Sequence, residues 1–198
     1  MNLGGKRILN AMTSIEWFLY TEKYYYALYN HKHKEANMII RTADMNDLDA
    51  VTAVERECFP PAEAATREEF AERILHYGNH FWLMFDGDKL VAFVDGFVTD
   101  APDLTDEMYE RADMHEENGA WQMIFGVNTI PEYRRRGLAG ELIRRAVDDA
   151  GKAGRKGLVL TCKDRLVHYY AGFGFKDEGI TNKSTHGNVA WHQMRLEF

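Results

Sequence analysis

The feature that most constrains this chain is an apolar run of strand length, Ala120 to Thr129, that passes through Pro131 into Arg134-Arg135-Arg136-Gly137-Leu138-Ala139-Gly140. From Gly137 to Gly151, Leu138, Leu142, Ile143, Ala146 and Val147 recur at helical spacing, so a strand feeds a helix through a basic turn. Small residues at a helix start let backbone N–H groups that have no intrahelical partner approach an anion closely. The arginines raise the local positive potential, and the helix dipole adds to it. A pyrophosphate suits such a cradle. A P-loop is excluded because no Gly-Lys-Ser/Thr closes the turn, and a Rossmann turn because three glycines near a first strand are missing. Alone, a basic turn before a helix is more often a solvated loop, so the surrounding elements decide.

Those elements follow one another in a mixed order. Residues 1–37 differ from the rest, with an aromatic run and a possible capping box at Thr13-Ser14-Ile15-Glu16, and read as an N-terminal extension with one helix. Met38 to Arg41 starts a strand. Leu48, Val51, Val54 and Cys58 predict a helix ended by Pro60-Pro61, because proline disfavours a helical residue before it. Thr66-Arg67-Glu68-Glu69 is a capping box for a second helix bearing Phe70, Ile74 and Leu75 and stopped near Gly78. His80 to Phe85 and Lys89 to Val98 are strands joined by Asp86-Gly87-Asp88, a hairpin signal. The acidic stretch from Asp100 to Gly119 predicts a long loop with a short helix. After the basic turn and its helix come a strand at Gly157 to Cys162, a short helix from Asp164 to Tyr170, and a closing hairpin reaching Phe198.

Bulk properties narrow the function. A chain of 198 residues with 45% hydrophobic content forms one ordinary core without disulfides or metals. Its net charge of -7 argues against general nucleic-acid binding. Cys58 and Cys162 form no C-x-x-C pair, which fits a reducing, cytoplasmic setting, and no apolar stretch nears the roughly 20 residues that span a bilayer. His31-Lys32-His33 lacks a third ligand at useful spacing, so no metal is expected. A small molecule or peptide is the expected partner, and the protein is expected to act as a monomer or homodimer.

With Tyr169-Tyr170 and Gly172-Phe173-Gly174-Phe175 downstream of Arg134-x-x-Gly137-x-Ala139, the chain resembles the GNAT superfamily of N-acetyltransferases over Met38 to Phe198. Cys162 to Tyr170 and Glu55-Arg56-Glu57-Cys58-Phe59 resemble the arylalkylamine (serotonin) N-acetyltransferase branch. The resemblance implies an α/β (α+β) fold, residues 38–198 forming the N-acetyltransferase domain, with a mixed central sheet of about six to seven strands flanked by about four helices. It implies acetyl-CoA as donor, with the pantetheine arm on Val127, Asn128 and Thr129, the pyrophosphate on Arg134, Arg135, Arg136, Gly137, Leu138, Ala139 and Gly140, and Asp164 on the same cofactor side.

The implied reaction is direct attack of a primary amine on the thioester in a ternary complex. An alkylamine with a pKa of about 10 arrives as ammonium, so a base must take its proton. The backbone N–H of Val127 is expected to stabilise the thioester oxygen, and Tyr170 matches the position of the acid that protonates the departing thiolate. The serotonin-acetylating enzymes carry two histidines where this chain has Met123 and Phe125, so the base lies elsewhere. Glu63 and then Glu57 are the candidates, because related insect enzymes use a glutamate in that region. Phe59, Phe125 and Thr161 are expected to meet the substrate, with Phe81 and Trp82 adding to an apolar pocket. Two alternatives stand beside the small-amine enzyme: a protein lysine or N-terminal acetyltransferase, and a non-catalytic acyl-CoA-binding sensor.

Overall fold

A computed structural model of the chain describes residues 38–61, 63–184 and 189–198. The helix and metal readings placed on residues 1–37 lie outside the described residues. Among the described residues, nine strands and five α-helices form two sheets in a mixed α/β fold. The first sheet orders β1 (Met38–Thr42), β2 (Phe81–Asp86), β3 (Lys89–Asp95) and β6 (Gly126–Thr129). The second orders β4 (Val98–Thr99), β5 (Trp121–Ile124), β7 (Gly157–Cys162), β9 (Trp191–Glu197) and β8 (Lys176–Thr181). The helices are α1 (Leu48–Cys58), α2 (Arg67–Tyr77), α3 (Glu107–Glu110), α4 (Leu138–Lys152) and α5 (Val167–Ala171).

Local signals set most of these boundaries. Thr66 and Glu69 form the reciprocal capping box that starts α2, and α1 stops before Pro60. Gly87, at φ 60°, turns the β2–β3 hairpin. Between the strands that pair across it, each face of the first sheet finds a different partner. Phe93 meets Phe70 of α2 edge to face at 5.9 Å, so α1 and α2 cover that side. Trp82, paired with Val94, points the other way and donates its indole N–H to Asp149 of α4 at 2.9 Å. Phe81 and Trp82 are therefore core residues and do not line a pocket, because strand alternation sends them to opposite faces of a sheet that is covered on both.

The strand count exceeds the sequence expectation because two long runs each break in the middle. Lys89 to Val98 divides at Gly96 into β3 and β4, and Ala120 to Thr129 divides at Phe125 into β5 and β6. Both breaks fall at one level. Phe125 donates its N–H to the Asp95 carbonyl at 2.8 Å, and Met123 donates to the Phe97 carbonyl at 2.7 Å. A β-carbon on Gly96 would lie 1.8 Å from the Met123 carbonyl oxygen, so only glycine permits this crossing. Beyond it, among the described residues, β5 pairs in parallel with β7 as far as Ile124 and Leu160, while β6 pairs only with β3 and the end of β7 only with β9. A gap opens between β6 and β7.

Gly96→Ala is expected to lower unfolding free energy by about 3 kcal/mol, the upper range for overpacking. Gly87→Ala, in open space but at positive φ, should lose about 1 kcal/mol. Urea unfolding of the two variants checks the order, and equal losses would contradict the crossing geometry.

Candidate active site

The gap between the two sheets widens into a cavity of about 580 Å³. Ile124, Phe125, Gly126 and Val127 line one wall, and Leu160, Thr161, Cys162 and Lys163 the other. Helices α1 and α2 and the loop between them supply Glu55, Cys58, Phe59, Glu63 and Arg73, while Tyr109, Tyr170 and Trp191 close further sides. Phe59, Phe125 and Thr161, expected at the substrate, all reach it. Tyr109, which the sequence hid in an acidic loop, bonds Thr161 Oγ1 at 3.1 Å and packs 4.8 Å from the Phe125 ring.

The backbone of β6 has two sides. The Ile130 N–H donates to Val91 at 3.0 Å, and the alternation of an antiparallel pair then turns Asn128 toward β3 and Val127 and Thr129 toward the gap. The Thr129 carbonyl is taken by Arg134 Nε at 3.0 Å, which leaves Val127 as the residue of β6 that both lines the cavity and offers outward backbone groups. Asn128 is fully buried beside Asp95.

Beyond Thr129, a 3-10 turn at Pro131–Tyr133 leads into the basic segment. Arg135 at φ 60° and Gly137 at φ 85° flank Arg136, and Gly137 caps the start of α4, whose first N–H groups have no intrahelical partner. Arg136 is held on the Tyr133 ring at 4.5 Å and donates to the Glu132 carbonyl at 2.6 Å. Leu138 anchors the helix in the core. Gly140 has a packing reason as well, since a β-carbon there would meet Phe173 at 3.0 Å, and Ala139 lies half-buried beside it. Asp164 begins a 3-10 turn after β7 with its side chain 93% exposed.

The acid and base candidates separate clearly. Tyr170 is buried, lines the cavity and packs on Tyr169 and Phe175, and that burial raises its phenol well above the ordinary value, so it stays protonated. Glu63 reaches the cavity wall, but Lys163 donates to both its oxygens, at 3.0 and 2.9 Å. Glu57 is exposed on α1 and is not among the lining residues. Met123 is buried in the core.

Sequence reasoning missed a buried group on the helix side. Asp95 accepts the Gly126 N–H at 3.0 Å and pairs with Arg73 at 3.3 Å. Arg73 also donates to the Tyr109 carbonyl at 2.8 Å, which ties α3 to the cavity. Glu55 accepts the Ala65 N–H at 3.1 Å. Burial pushes Asp95 up to about 6 against the pull of Arg73, and pushes Glu55 up to about 7, with the Asp95 charge adding to the rise. The available signal was placement: Arg73 shares the apolar face of Phe70, Ile74 and Tyr77, and Glu55 that of Leu48, Val51 and Thr52.

A second cluster lies apart from the cavity lining. His80, His115 and Glu117 hold donor atoms within 4.8 Å of one another. The Val98 N–H donates to His115 Nδ1 at 3.2 Å, which places that ring's proton on Nε2, facing Glu117 at 3.2 Å. A cation would need that nitrogen bare, and Glu117 already accepts from Asn79 and Arg155. The donor set fits a hydrogen-bonded knot and does not fit a metal. The acidic stretch is similarly engaged: Asp103 meets Lys183, Gln193 and Arg195, and Glu107 meets Arg111. Asp106 and Glu110 line the cavity.

The sheet parts along one seam, and a helix opened by a basic, glycine-bearing turn starts just past the parted strand. The model of the acetyltransferase (GNAT) family matches residues 48–175, and the chain belongs to that family. No curated protein matches it in sequence. Among solved structures it is similar to the loading GNATL domain of CurA from Lyngbya majuscula, at 18% identity and TM-score 0.70, over 81% of this chain and 97% of that one. It is also similar to the ribosomal-protein-S18-alanine N-acetyltransferase from Escherichia coli, at 18% identity, TM-score 0.58, and 81% and 93% coverage. The PaiA N-acetyltransferase from Thermoplasma acidophilum, solved with coenzyme A, is similar at 16% identity and TM-score 0.60, over 81% and 99% of the two chains. Among the described residues no helix is long and apolar enough to cross a membrane.

Arg73→Met is expected to destabilise the fold by about 3 kcal/mol at pH 7.5, because it strands a buried carboxylate. Asp95 already binds its proton more tightly folded than unfolded, so its charge lowers stability as pH rises from about 4 to 6. Without Arg73 that window extends upward, and the loss should shrink by about 1 kcal/mol at pH 5.5. Denaturation at both pH values measures it, and a loss independent of pH would contradict the pairing.

Proposed function

We propose that the protein transfers an acetyl group from acetyl-CoA to a primary amine by direct attack in a ternary complex, with small arylalkylamines as the acceptor class. The observation that carries this reading is the continuity of β6 with the cradle: the strand that lines the cavity with Val127 runs within a few residues into Arg134–Gly140. A pantetheine arm laid along β6 would meet the outward groups of Val127, and the pyrophosphate the first N–H groups of α4. The coenzyme A in the Thermoplasma relative supports the donor class.

The acceptor side has the size and lining of a small-molecule site. A cavity of about 580 Å³ falls within the range for such ligands, which is roughly 300–1,000 Å³. Phe59, Tyr109, Phe125 and Trp191 offer flat apolar surface, and the carboxylates at the cavity suit a cation. In the reaction, the amine nitrogen attacks the thioester carbon and the Val127 N–H meets the charge that builds on oxygen. Tyr170, kept protonated by burial, donates to the sulfur as the carbon–sulfur bond breaks.

A free-thiol release assay with acetyl-CoA and a panel of tryptamine-like amines, polyamines and lysine-bearing peptides tests the reading. Turnover is expected with the arylalkylamines. Turnover with peptides alone would replace the small-amine assignment by the protein-acetylating one, and binding without thiol release would mark a sensor. Tyr170→Phe should lower kcat about 100-fold with coenzyme A affinity unchanged, within the range for acid–base groups. Gly137→Val, forced to a φ of 85°, should weaken coenzyme A binding about tenfold or more by calorimetry, since such strain costs about 1–3 kcal/mol.

A further inference from the structure

Two carboxylates and one guanidinium lie together on the side of the cavity covered by α1 and α2. Glu55, Asp95 and Arg73 each line the cavity and are each buried, at 6%, 1% and 6% exposure. Asp95 is committed, because its carboxylate holds both Arg73 and the Gly126 N–H. Glu55 has the Ala65 N–H, with the Asn128 amide beside it. One guanidinium cannot neutralise two buried carboxylates, so the cluster has room for one proton near neutral pH. A group that changes charge near neutral pH, and that faces a cavity, suits proton transfer.

We propose that Glu55 is the base that takes the proton from the acceptor ammonium, with Asp95 and Arg73 as positioning residues that hold its surroundings. This assignment rests on the acetyltransferase reading above and names the group that reading leaves unfilled. Glu63 would have to give up Lys163 to accept a proton, and Glu57 lies off the cavity. The proton balance closes. One proton of the ammonium passes to Glu55, the free amine attacks the thioester carbon, and the carbon–sulfur bond breaks as Tyr170 protonates the sulfur. The second nitrogen proton restores Tyr170, the third stays on the amide, and Glu55 returns its proton to solvent. Amide, coenzyme A thiol and one proton leave.

Glu55 sits near a pKa of about 7, raised by burial, lowered by the Ala65 N–H, and raised again by Asp95. The other groups facing the cluster are Cys58 on the same helix and Glu69 and Tyr77 on α2. In the wild-type enzyme kcat/KM is therefore expected to fall tenfold per pH unit below about 7.

The experiment compares wild type, Glu55→Gln and Glu63→Gln in thiol release from pH 5.5 to 9. Glu55→Gln should lose about 100-fold in kcat/KM and the limb near 7, while binding coenzyme A as wild type does. Because glutamine still accepts from Ala65 and carries no buried charge, the variant should be no less stable than wild type at pH 8. A limb unchanged in Glu55→Gln, or lost in Glu63→Gln alone, would overturn the assignment. A second measurement needs no variant of Glu55: carbon-13 titration of glutamate carboxyls in the unliganded protein should show one that titrates near 7, and the absence of any above 6 would also overturn it. Absence of transfer by wild type to every amine would overturn the acetyltransferase reading together with this role. Transfer with an unaltered limb would overturn this role alone.

Discussion

Asp95 holds the seam on which the rest of the site depends. Its carbonyl accepts the Phe125 N–H and its carboxylate the Gly126 N–H, so two successive amides of one chain end on a single residue. A regular ladder would have sent one of these toward the next strand, and β6 would have continued beside β7. Capturing both turns β6 aside and opens the gap. The neighbouring backbone must come close enough for this, which is why Gly96 has no room for a side chain and a β-carbon on Gly126 would strike Asp95. The cost is a buried ion pair with Arg73, and such pairs seldom add net stability over well-packed apolar groups.

Two glutamates show how hydrogen bonding decides what a carboxylate can do. Glu117 is half exposed, and burial tends to push it up, yet donation from Asn79, His80, His115 and Arg155 outweighs that and holds it at about 2. It is a fixed acceptor that braces the loop before β5. Glu55 is far more buried and has one backbone donor, so desolvation wins and its proton is labile near neutral pH. A satisfied network supports structure, whereas a poorly compensated carboxylate at a cavity is available for chemistry.

What the sequence revealed follows from how far each signal reaches. The basic turn and the helix it opens were legible because their causes are local: a glycine at positive φ, a helix start and adjacent arginines all sit within Arg134 to Gly140. The capping box at Thr66 and the stop at Pro60 were legible for the same reason. The breaks at Gly96 and Phe125 were not, since each depends on contact between residues about 30 apart in sequence, and an uninterrupted apolar run conceals it. Tyr109 and Arg73 were hidden likewise, one by an acidic loop and the other by an amphipathic helix pattern that tolerates a single charge. Phe81 and Trp82 misled because aromatic residues serve a pocket or a core equally well until strand direction is known.

The parted strand offers backbone groups at Val127 and no titratable side chain, because Met123 is buried in the core and Phe125 packs against Phe97 and Tyr109. In the proposed reaction, proton handling would come from elements that approach the strand from outside, and α1, α2 and β3 bring Glu55, Arg73 and Asp95 to the cavity. Donor binding would rest on main chain that any sequence with the right glycines can form, while acceptor choice and proton transfer would rest on side chains from separate elements. Such a site can change its amine without disturbing its thioester. Apolar replacement of Met123 or Phe125 would reshape the cavity, whereas restoring a base on that strand would first require the sheet to release the aromatic contacts that now fill it.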